Sequence, residues 1–330
     1  MTTTNDNTIP PELRAEIDAH LETVLTGIRA RSTAAPDTVP AADAAIFDLL
    51  TSRRFCYLGR KRTAPYRDET LALMRHDMER GEPVRFYYDI GPGYHASTRP
   101  GKSDLVFDVG LSELYQLHQV VQFCNRVAEL YPPGARFSLV IDNLCAVATN
   151  DIPVENTSAY VERLRALMRE TGAEDLVNLV VESEAFEWSE YEGLLADVAA
   201  QAPPDSLSEA DLDNVVRFLG RSCDTTEAGD RIERYRRAGI VTESLLERVV
   251  HGVRMTQRAT GGTLGFRPFP GGDQRTQCGE VALTRRSKGG LKPVLLTSRN
   301  IDGYDCVSVD SPDVLPASVP RMTWADPRSA

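Results

Sequence analysis

The spacing of apolar residues before position 80 has the period of a helix. In three stretches, apolar side chains recur every three or four residues, which predicts three amphipathic helices. They run from about Pro10 to Arg31, from Ala41 to Ser52 and from Arg67 to Arg80. Gly81 is expected to end the third helix, because glycine readily takes the left-handed conformation that follows many helix ends.

Between residues 83 and 181 the pattern alternates between apolar strands and amphipathic helices. The predicted strands are 83–90, 136–142 and 176–181, and the predicted helices are 111–130 and one from Thr157 or Ser158 to Thr171. A strand–helix–strand–helix–strand order is typical of a parallel sheet covered by helices. The predicted fold class is therefore α/β, with a smaller helical and β part at the C-terminus.

The pattern after Glu182 is less regular and defines the C-terminal part. It predicts helices at 188–201, 208–222, 227–238 and 242–260, followed by short strands at 263–267, 279–284, 293–297 and 304–309. We therefore divide the chain into an N-terminal helical segment (1–52), an α/β core (53–200) and a C-terminal part that completes the site (201–330).

Composition and charge narrow the class of protein. The chain has 330 residues, of which 42% are hydrophobic, and a formal net charge of −11. That charge argues against a nucleic-acid partner, which requires a basic face. No apolar run approaches the roughly 20 residues that span a bilayer, and the N-terminus lacks a signal-peptide pattern. We expect a cytoplasmic protein without a membrane partner, and a homodimer is an open alternative to a monomer.

Cysteine and histidine spacing gives no sign of a metal site. The six cysteines include no CxxC pair and the five histidines no HExxH, so the prediction is reduced thiols and no bound metal. Gly91 and Gly93 follow a strand, but the full GxGxxG is missing and no helix opens directly after it, so a dinucleotide cofactor is not expected.

The loop after the first predicted strand holds several candidate site residues. Loops at the carboxyl ends of strands are where α/β folds bind ligands. Arg99 and Lys102 are candidates for an anion-binding cradle, since a guanidinium donates two parallel hydrogen bonds to phosphate or carboxylate. His95 is a candidate acid/base, Tyr94 a residue that covers the substrate, and Ser97 a substrate-binding hydroxyl. The alternative for this set is an exposed, solvated loop.

Asp142 and Asn143 follow the second apolar strand and form another candidate pair. A carboxylate in a cleft at the edge of a sheet is expected to have a raised pKa, which suits proton transfer. The alternative for Asp142 is capping of the following turn. Asn143 either contacts the substrate or takes a left-handed turn conformation. An acidic residue after an apolar strand is also typical of metal-binding glycosyltransferases, but a single carboxylate makes that the weaker alternative.

Two further residues complete the set. Arg267 lies among glycines and prolines in the β-rich region and is a candidate second clamp for an anionic group, with a surface role as the alternative. Cys145 is expected to be buried rather than nucleophilic, because no basic partner is spaced nearby.

A set of short motifs between residues 81 and 165 carries a resemblance to a known family. They are Gly81-Glu-Pro-Val84, the loop Gly93–Lys102, Leu111-Ser-Glu113-Leu114, Leu130-Tyr-Pro-Pro-Gly-Ala135, Ile141-Asp142-Asn143, Asp151-Ile-Pro-Val154 and Tyr160-Val-Glu-Arg-Leu-Arg165. In this span the chain resembles the isonitrile (isocyanide) synthase family, which includes pyoverdine and dityrosine biosynthesis proteins. The rest of the chain matches only in layout.

The resemblance implies a Rossmann-like core with no metal and no bound organic cofactor. It also implies condensation of the α-amine of an amino acid, tyrosine or tryptophan, with the ketone of ribulose 5-phosphate, so the expected partners are an amino acid and a sugar phosphate. Proton transfers, loss of phosphate and carbon–carbon cleavage then leave an isonitrile carbon.

The chain departs from the family pattern in its chemical loops. Tyr94-His-Ala-Ser97 stands where the family has Pro-x-Lys-Ser, and histidines are missing around Leu264–Pro268 and at Lys292-Pro-Val294. Those histidines would be the natural acid/base groups near neutral pH. Two alternatives therefore stay open: a diverged enzyme with different amino-acid chemistry, and a non-catalytic relative that binds a small metabolite or a partner enzyme.

Overall fold

A computed structural model of the chain describes residues 11–32, 41–56, 63–90, 94–96, 105–107, 109–150, 153–201, 225–255, 266, 281–285, 289–295 and 306–307. The helices are α1 (Pro11–Arg29), α2 (Ala42–Leu50), α3 (Arg67–Glu79), α4 (Leu111–Ala128), α5 (Asn143–Asn150), α6 (Val154–Thr171), α7 (Glu182–Ala185), α8 (Trp188–Gln201) and α9 (Thr225–Leu246). The strands are β1 (Val84–Ile90), β2 (Tyr94–Ala96), β3 (Leu105–Phe107), β4 (Ala135–Ile141), β5 (Val177–Val181), β6 (Val253–Arg254), β7 (Val281–Arg285), β8 (Leu291–Leu295) and β9 (Cys306–Val307).

A four-stranded parallel sheet forms the centre of the fold, in the order β5-β4-β1-β6. β2 and β3 pair as an antiparallel hairpin, and β7 pairs with β8 and β9 in a separate antiparallel sheet. The α/β class is confirmed, and the three predicted core strands agree with β1, β4 and β5 to within one residue at each end.

One face of the parallel sheet is apolar and buries the main core. Phe86 of β1 and Phe137 of β4 face Phe123 of α4, with ring centroids 4.9 and 6.5 Å from that of Phe123. Phe55 and Phe266 pack into the same aromatic group. Such edge-to-face pairs add to the stabilisation that burial alone gives. Buried residues from all three predicted segments of the chain share this core.

The opposite face of the sheet is polar, because every second residue of a strand points the same way. On β1 this face carries Arg85, Tyr87 and Asp89. The end of α9 covers part of it, where Leu246 packs with Val140 and Tyr87.

The structure corrects the sequence-based prediction at the C-terminal side. The separate helices predicted at 227–238 and 242–260 are wrong: one helix, α9, spans 225–246, and residues 253–254 form β6 beside β1. Gly252 makes that pairing possible. Its φ is +126°, and a Cβ placed there would lie 2.3 Å from the carbonyl oxygen of Arg85. The predicted helix 208–222 lies outside the described residues.

Several short elements were missed altogether. Residues 94–103 were expected to be a loop, yet residues 94–96 form strand β2 of the hairpin. Helix α5, directly after Asp142, was also missed. Three-residue strands and eight-residue helices are too short to give a periodic signal.

Helix α4 contacts α1 through the side chain of His118. His118 packs against Gly27, where an added Cβ would lie 2.5 Å from its Nε2 atom. Burial, helped by the positive charges of Arg54 and His20, lowers the pKa of His118 to about 4. His118 is therefore neutral at pH 7.

We expect Gly252→Ala to destabilise the fold by about 2–4 kcal/mol, because it adds a strained positive φ and a clash with β1. Gly193→Ala on α8 is the matched control. No atom lies within 4 Å of its added Cβ, so we expect it to be neutral or to stabilise by up to about 1 kcal/mol. Urea denaturation measures both, and equal effects would contradict the close approach of Gly252 to β1.

We expect His118 to make stability fall as the pH drops. Its folded pKa lies below the unfolded value of about 6.5, so the unfolded state binds more protons between about pH 6.5 and pH 4. Between pH 7.5 and 5, wild type should lose about 2 kcal/mol more than His118→Gln. Denaturation curves at both pH values test this. His251→Gln, at an exposed position, is the control and keeps the wild-type pH dependence; a His118→Gln variant that does the same contradicts the prediction.

Candidate active site

The carboxyl edge of the parallel sheet is the place where this topology binds ligands. The chain moves from β1 outward to β4 and β5, and then returns to the other side of β1 as β6. In open α/β sheets, such a reversal marks the ligand site in the region beyond the carboxyl ends of the strands on either side of it, which here are β1 and β6. We call this region the crevice.

Asp142 lies at this edge, directly after β4. It is half-buried, and its backbone amide lies 3.5 Å from the carbonyl oxygen of Ile90 at the end of β1. Its own carbonyl accepts a hydrogen bond of 3.0 Å from the amide of Ala146. Asp142 is therefore the residue directly before α5, and its backbone lies between the ends of β1 and β4. Its role in proton transfer stays a prediction.

Asn143 is fully buried and ties β4 to β5. Its Oδ1 accepts a bond of 3.0 Å from the amide of Ser183, and its Nδ2 donates to Ser183 Oγ at 2.7 Å and to Thr157 Oγ1 at 3.2 Å. The side-chain amide thus joins α5, α6 and α7 at one point. The left-handed conformation considered for Asn143 is not observed, since the residue starts a helix. Its predicted contact with substrate is untested.

Glu182, directly after β5, accepts a second hydrogen bond from the segment that follows β4. It follows β5 and is fully buried, and its Oε2 accepts a bond of 3.1 Å from the amide of Cys145. Cys145 is buried, as the sequence predicted. We call the set Asn143, Thr157, Glu182 and Ser183 the edge clamp, because its hydrogen bonds fix the ends of β4 and β5 relative to each other.

A second carboxylate group borders Asp142 on the α4 side. Glu113 accepts a bond of 2.7 Å from the amide of Gly110 through Oε2, and its Oε1 accepts one of 3.4 Å from the phenol of Tyr160. Burial and the negative charges of Glu113 and Asp142 raise the pKa of Tyr160 well above its ordinary value. Tyr160 is therefore a protonated hydrogen-bond donor, and Asp142 is close enough to contribute to its raised pKa.

The polar face of the sheet adds an ion triad just beneath the crevice. Arg254 of β6 donates to Glu243 of α9 at 2.9 Å, and its Nη2 lies 3.6 Å from Oδ2 of Asp89. Asp89 is buried. Removing the cation that pairs with a buried carboxylate such as Asp89 leaves an uncompensated charge, which is destabilising.

The structure describes only some of the predicted site residues. Tyr94 and His95 lie in β2, for which the backbone pairing with β3 is established. The remaining predicted residues, Ser97, Arg99, Lys102 and Arg267, lie outside the described residues. The neighbour of Arg267 is described: the amide of Phe266 donates to the carbonyl oxygen of Met255 at 3.0 Å, beside the end of β6.

Sequence reasoning missed Glu182, Glu113, Asp89 and Arg254. Glu182 follows an apolar strand just as Asp142 does, so the same rule would have found it. Asp89 alternates with Arg85 and Tyr87 on the polar face of β1, which is a readable period of two. Glu113 and Arg254 gave no such signal, since Tyr160 and Asp89, the partners that join them to the other groups of the edge, are distant in sequence.

The edge is rich in carboxylates, which bears on the kind of ligand that it fits. Asp89, Glu113, Asp142 and Glu182 all lie at or next to it, and Arg254 is the cation that the described residues place with them. Opposite charge within a few ångströms favours the charged form of each group. The described part of the edge therefore suits a cationic group such as an ammonium, while an anionic group requires cations from the segments that follow β1 and β6.

Neither a cluster of metal-ligating side chains nor a membrane-spanning helix occurs in the described part of the chain. There, no group of three or more histidine, cysteine, aspartate or glutamate residues could hold a metal ion. Likewise, the helices of residues 11–32, 41–56, 63–90, 109–150, 153–201 and 225–255 include none that is long and apolar enough to cross a membrane.

We expect Asn143→Ala to destabilise the protein by about 1–3 kcal/mol, because it leaves buried donors and acceptors of the edge clamp without partners. The matched control is Asn178→Ala on β5, an exposed position that accepts one bond of 2.8 Å from Ser138. Its effect should stay within about 0.5 kcal/mol. Urea denaturation measures both variants. An Asn143→Ala protein as stable as the control would show that the clamp does not hold the edge.

The comparison with solved structures bears on the fold, and the comparisons together leave the family open. No family model matches the chain, and no curated protein matches it. Among solved structures, the PvcA protein from Pseudomonas aeruginosa has a TM-score of 0.57 and 18% sequence identity, covering 79% of this chain and 94% of that one. Tyrosyl-tRNA synthetase from Aeropyrum pernix has a TM-score of only 0.32 and 15% sequence identity, and the match covers 62% of this chain and 58% of that one. The likeness to PvcA establishes a shared α/β fold.

Proposed function

We propose that the chain is an isonitrile-synthase-like enzyme, which condenses the amine of an amino acid with the ketone of ribulose 5-phosphate. Two separate observations support the proposal. The motifs between residues 81 and 165 resemble this family, and the fold resembles that of PvcA, a pyoverdine/isonitrile synthase-family protein, over 94% of that chain.

The geometry of the carboxyl edge is the observation that carries the amine half of the proposal. Asp142 directly precedes Asn143 of the edge clamp, and Glu182 of the clamp is a second carboxylate near it. In the proposed reaction, Asp142 binds the substrate ammonium and takes its proton, which frees the amine to attack the ketone. A positioned carboxylate of this kind contributes typically 10²–10⁴-fold to the rate.

The phosphate half depends on residues outside the described part of the chain. Arg99 and Lys102 follow the hairpin strand β2, and Arg267 follows Phe266 at the end of β6. β2 follows β1 in the chain and Phe266 lies beside the end of β6, so the topology is compatible with a cationic cradle opposite Asp142. Tyr94, His95, Ser97 and Asn143 keep their proposed roles as groups around the substrate.

The second candidate is a non-catalytic relative that binds an amino-acid metabolite. Its support is the loss of the family histidines around Leu264–Pro268 and Lys292–Val294. Such a protein would bind an amino acid at the same edge but form no product. Binding and turnover therefore have to be measured separately.

We expect wild-type protein, incubated with each amino acid and ribulose 5-phosphate, to yield an isonitrile product detectable by mass spectrometry. Asp142→Asn should lower turnover about 10²–10⁴-fold without loss of folding. Asp48→Asn, an exposed carboxylate on α2, is the control and should retain wild-type turnover.

Two results would count against the proposal. Absence of product from wild type across all amino acids, with binding of one of them retained, favours the non-catalytic candidate. Full activity of Asp142→Asn removes Asp142 from the mechanism.

A further inference from the structure

Two of the sequence motifs meet in space at a pair of side chains that the proposed reaction does not use. Glu113 belongs to Leu111-Ser-Glu113-Leu114 on α4, and Tyr160 begins Tyr160-Val-Glu-Arg-Leu-Arg165 on α6. The two are 47 positions apart, and the phenol of Tyr160 donates to Oε1 of Glu113 over 3.4 Å. Both side chains are buried, with exposures of 7% for Glu113 and 1% for Tyr160.

Glu113 connects this pair to the hairpin. Its other oxygen accepts the amide of Gly110 at 2.7 Å, and Gly110 lies three residues after the end of β3. This bond fixes the backbone at the point where the hairpin returns to α4. β3 also packs against α6, the helix that carries Tyr160. The pair therefore holds the base of the hairpin against α6.

Tyr160 connects the same pair to Asp142. Thr157 lies one turn before Tyr160 on α6, and residues three apart share one face of a helix. Its Oγ1 accepts a bond of 3.2 Å from Asn143, the residue directly after Asp142. One face of α6 thus contacts both the start of α5 and the group that anchors the hairpin.

We propose that Glu113 and Tyr160 are positioning residues that set the hairpin β2–β3 and Asp142 in one fixed geometry. The pair joins the two segments that have to act on the same substrate, one after β1 and one after β4. This inference rests on the proposed function for its kinetic consequence, but its structural consequence stands without it.

The kinetic test uses Tyr160→Phe, which removes only the hydroxyl, and Tyr131→Phe as the matched control. Tyr131 is a buried tyrosine at the opposite edge of the sheet, and its hydroxyl donates to the carbonyl oxygen of Glu82 at 2.9 Å. Each variant loses one phenol hydroxyl; that of Tyr131 also lies 3.4 Å from the carbonyl oxygen of Met78. We expect kcat of Tyr160→Phe to fall about 10- to 100-fold, as for a small misplacement of reacting groups, while Tyr131→Phe keeps the wild-type kcat.

Hydrogen–deuterium exchange provides a readout that does not depend on activity. Tyr160→Phe and Glu113→Gln should both speed exchange in two places, the hairpin strands 94–96 and 105–107 and the segment 142–146. Tyr131→Phe should speed exchange in neither. Faster exchange confined to α6 would mean a local packing role and would overturn the inference.

The two tests separate this inference from the proposed function. If wild type forms no product but the exchange pattern is as expected, the positioning pair stands and the proposed reaction fails. If wild type is active and Tyr160→Phe has the same kcat and KM, the reaction stands and the positioning role is overturned.

Discussion

The structure depends most on the edge clamp, the set of hydrogen bonds by which Asn143 and Glu182 tie the end of β4 to the end of β5. A single hydrogen bond adds about 1 kcal/mol to stability, but a buried polar group left without its partner costs about 1–3 kcal/mol. Because Asn143 and Glu182 are both fully buried, a shift of either strand end would leave buried polar groups without partners. Asp142 is held between strand ends as a consequence.

One face of the sheet stabilises the fold, whereas the other face and the carboxyl edge carry the charged groups. The apolar face packs its aromatic rings against α4 and supplies the core. The polar face and the carboxyl edge carry the charges, among them Asp89, Glu182 and Arg254. Buried charges are costly unless they are paired, so a concentration of them at one edge points to binding rather than to stability.

The sequence predicts the part of the fold that is regular. Continuous apolar strands and long amphipathic helices gave β1, β4, β5 and α4 to within two residues. Strand β6 was not predicted, because a strand of two residues shows no periodicity. Its pairing with β1 depends on the positive φ of Gly252. Short elements of this kind are decided by tertiary contacts, which local propensity does not contain.

The candidate site was predictable only in part, for the same reason. Asp142 followed from its place after an apolar strand, and its location at the carboxyl edge agrees with the prediction. Glu113 and Tyr160 are joined across 47 positions, and that contact exists only once α4 and α6 have packed. The fold class is thus readable from local pattern, whereas the arrangement of the site follows from long-range contacts.

The central claim is that the carboxyl edge of the sheet binds the ammonium of an amino acid through Asp142. A crystal structure of the protein soaked with tyrosine or tryptophan tests it most directly. We expect the amine nitrogen of the ligand about 2.7–3.2 Å from a carboxylate oxygen of Asp142. A ligand bound instead in the groove of about 320 Å³ that Arg85, Arg136 and His251 line at the other end of the sheet would contradict it.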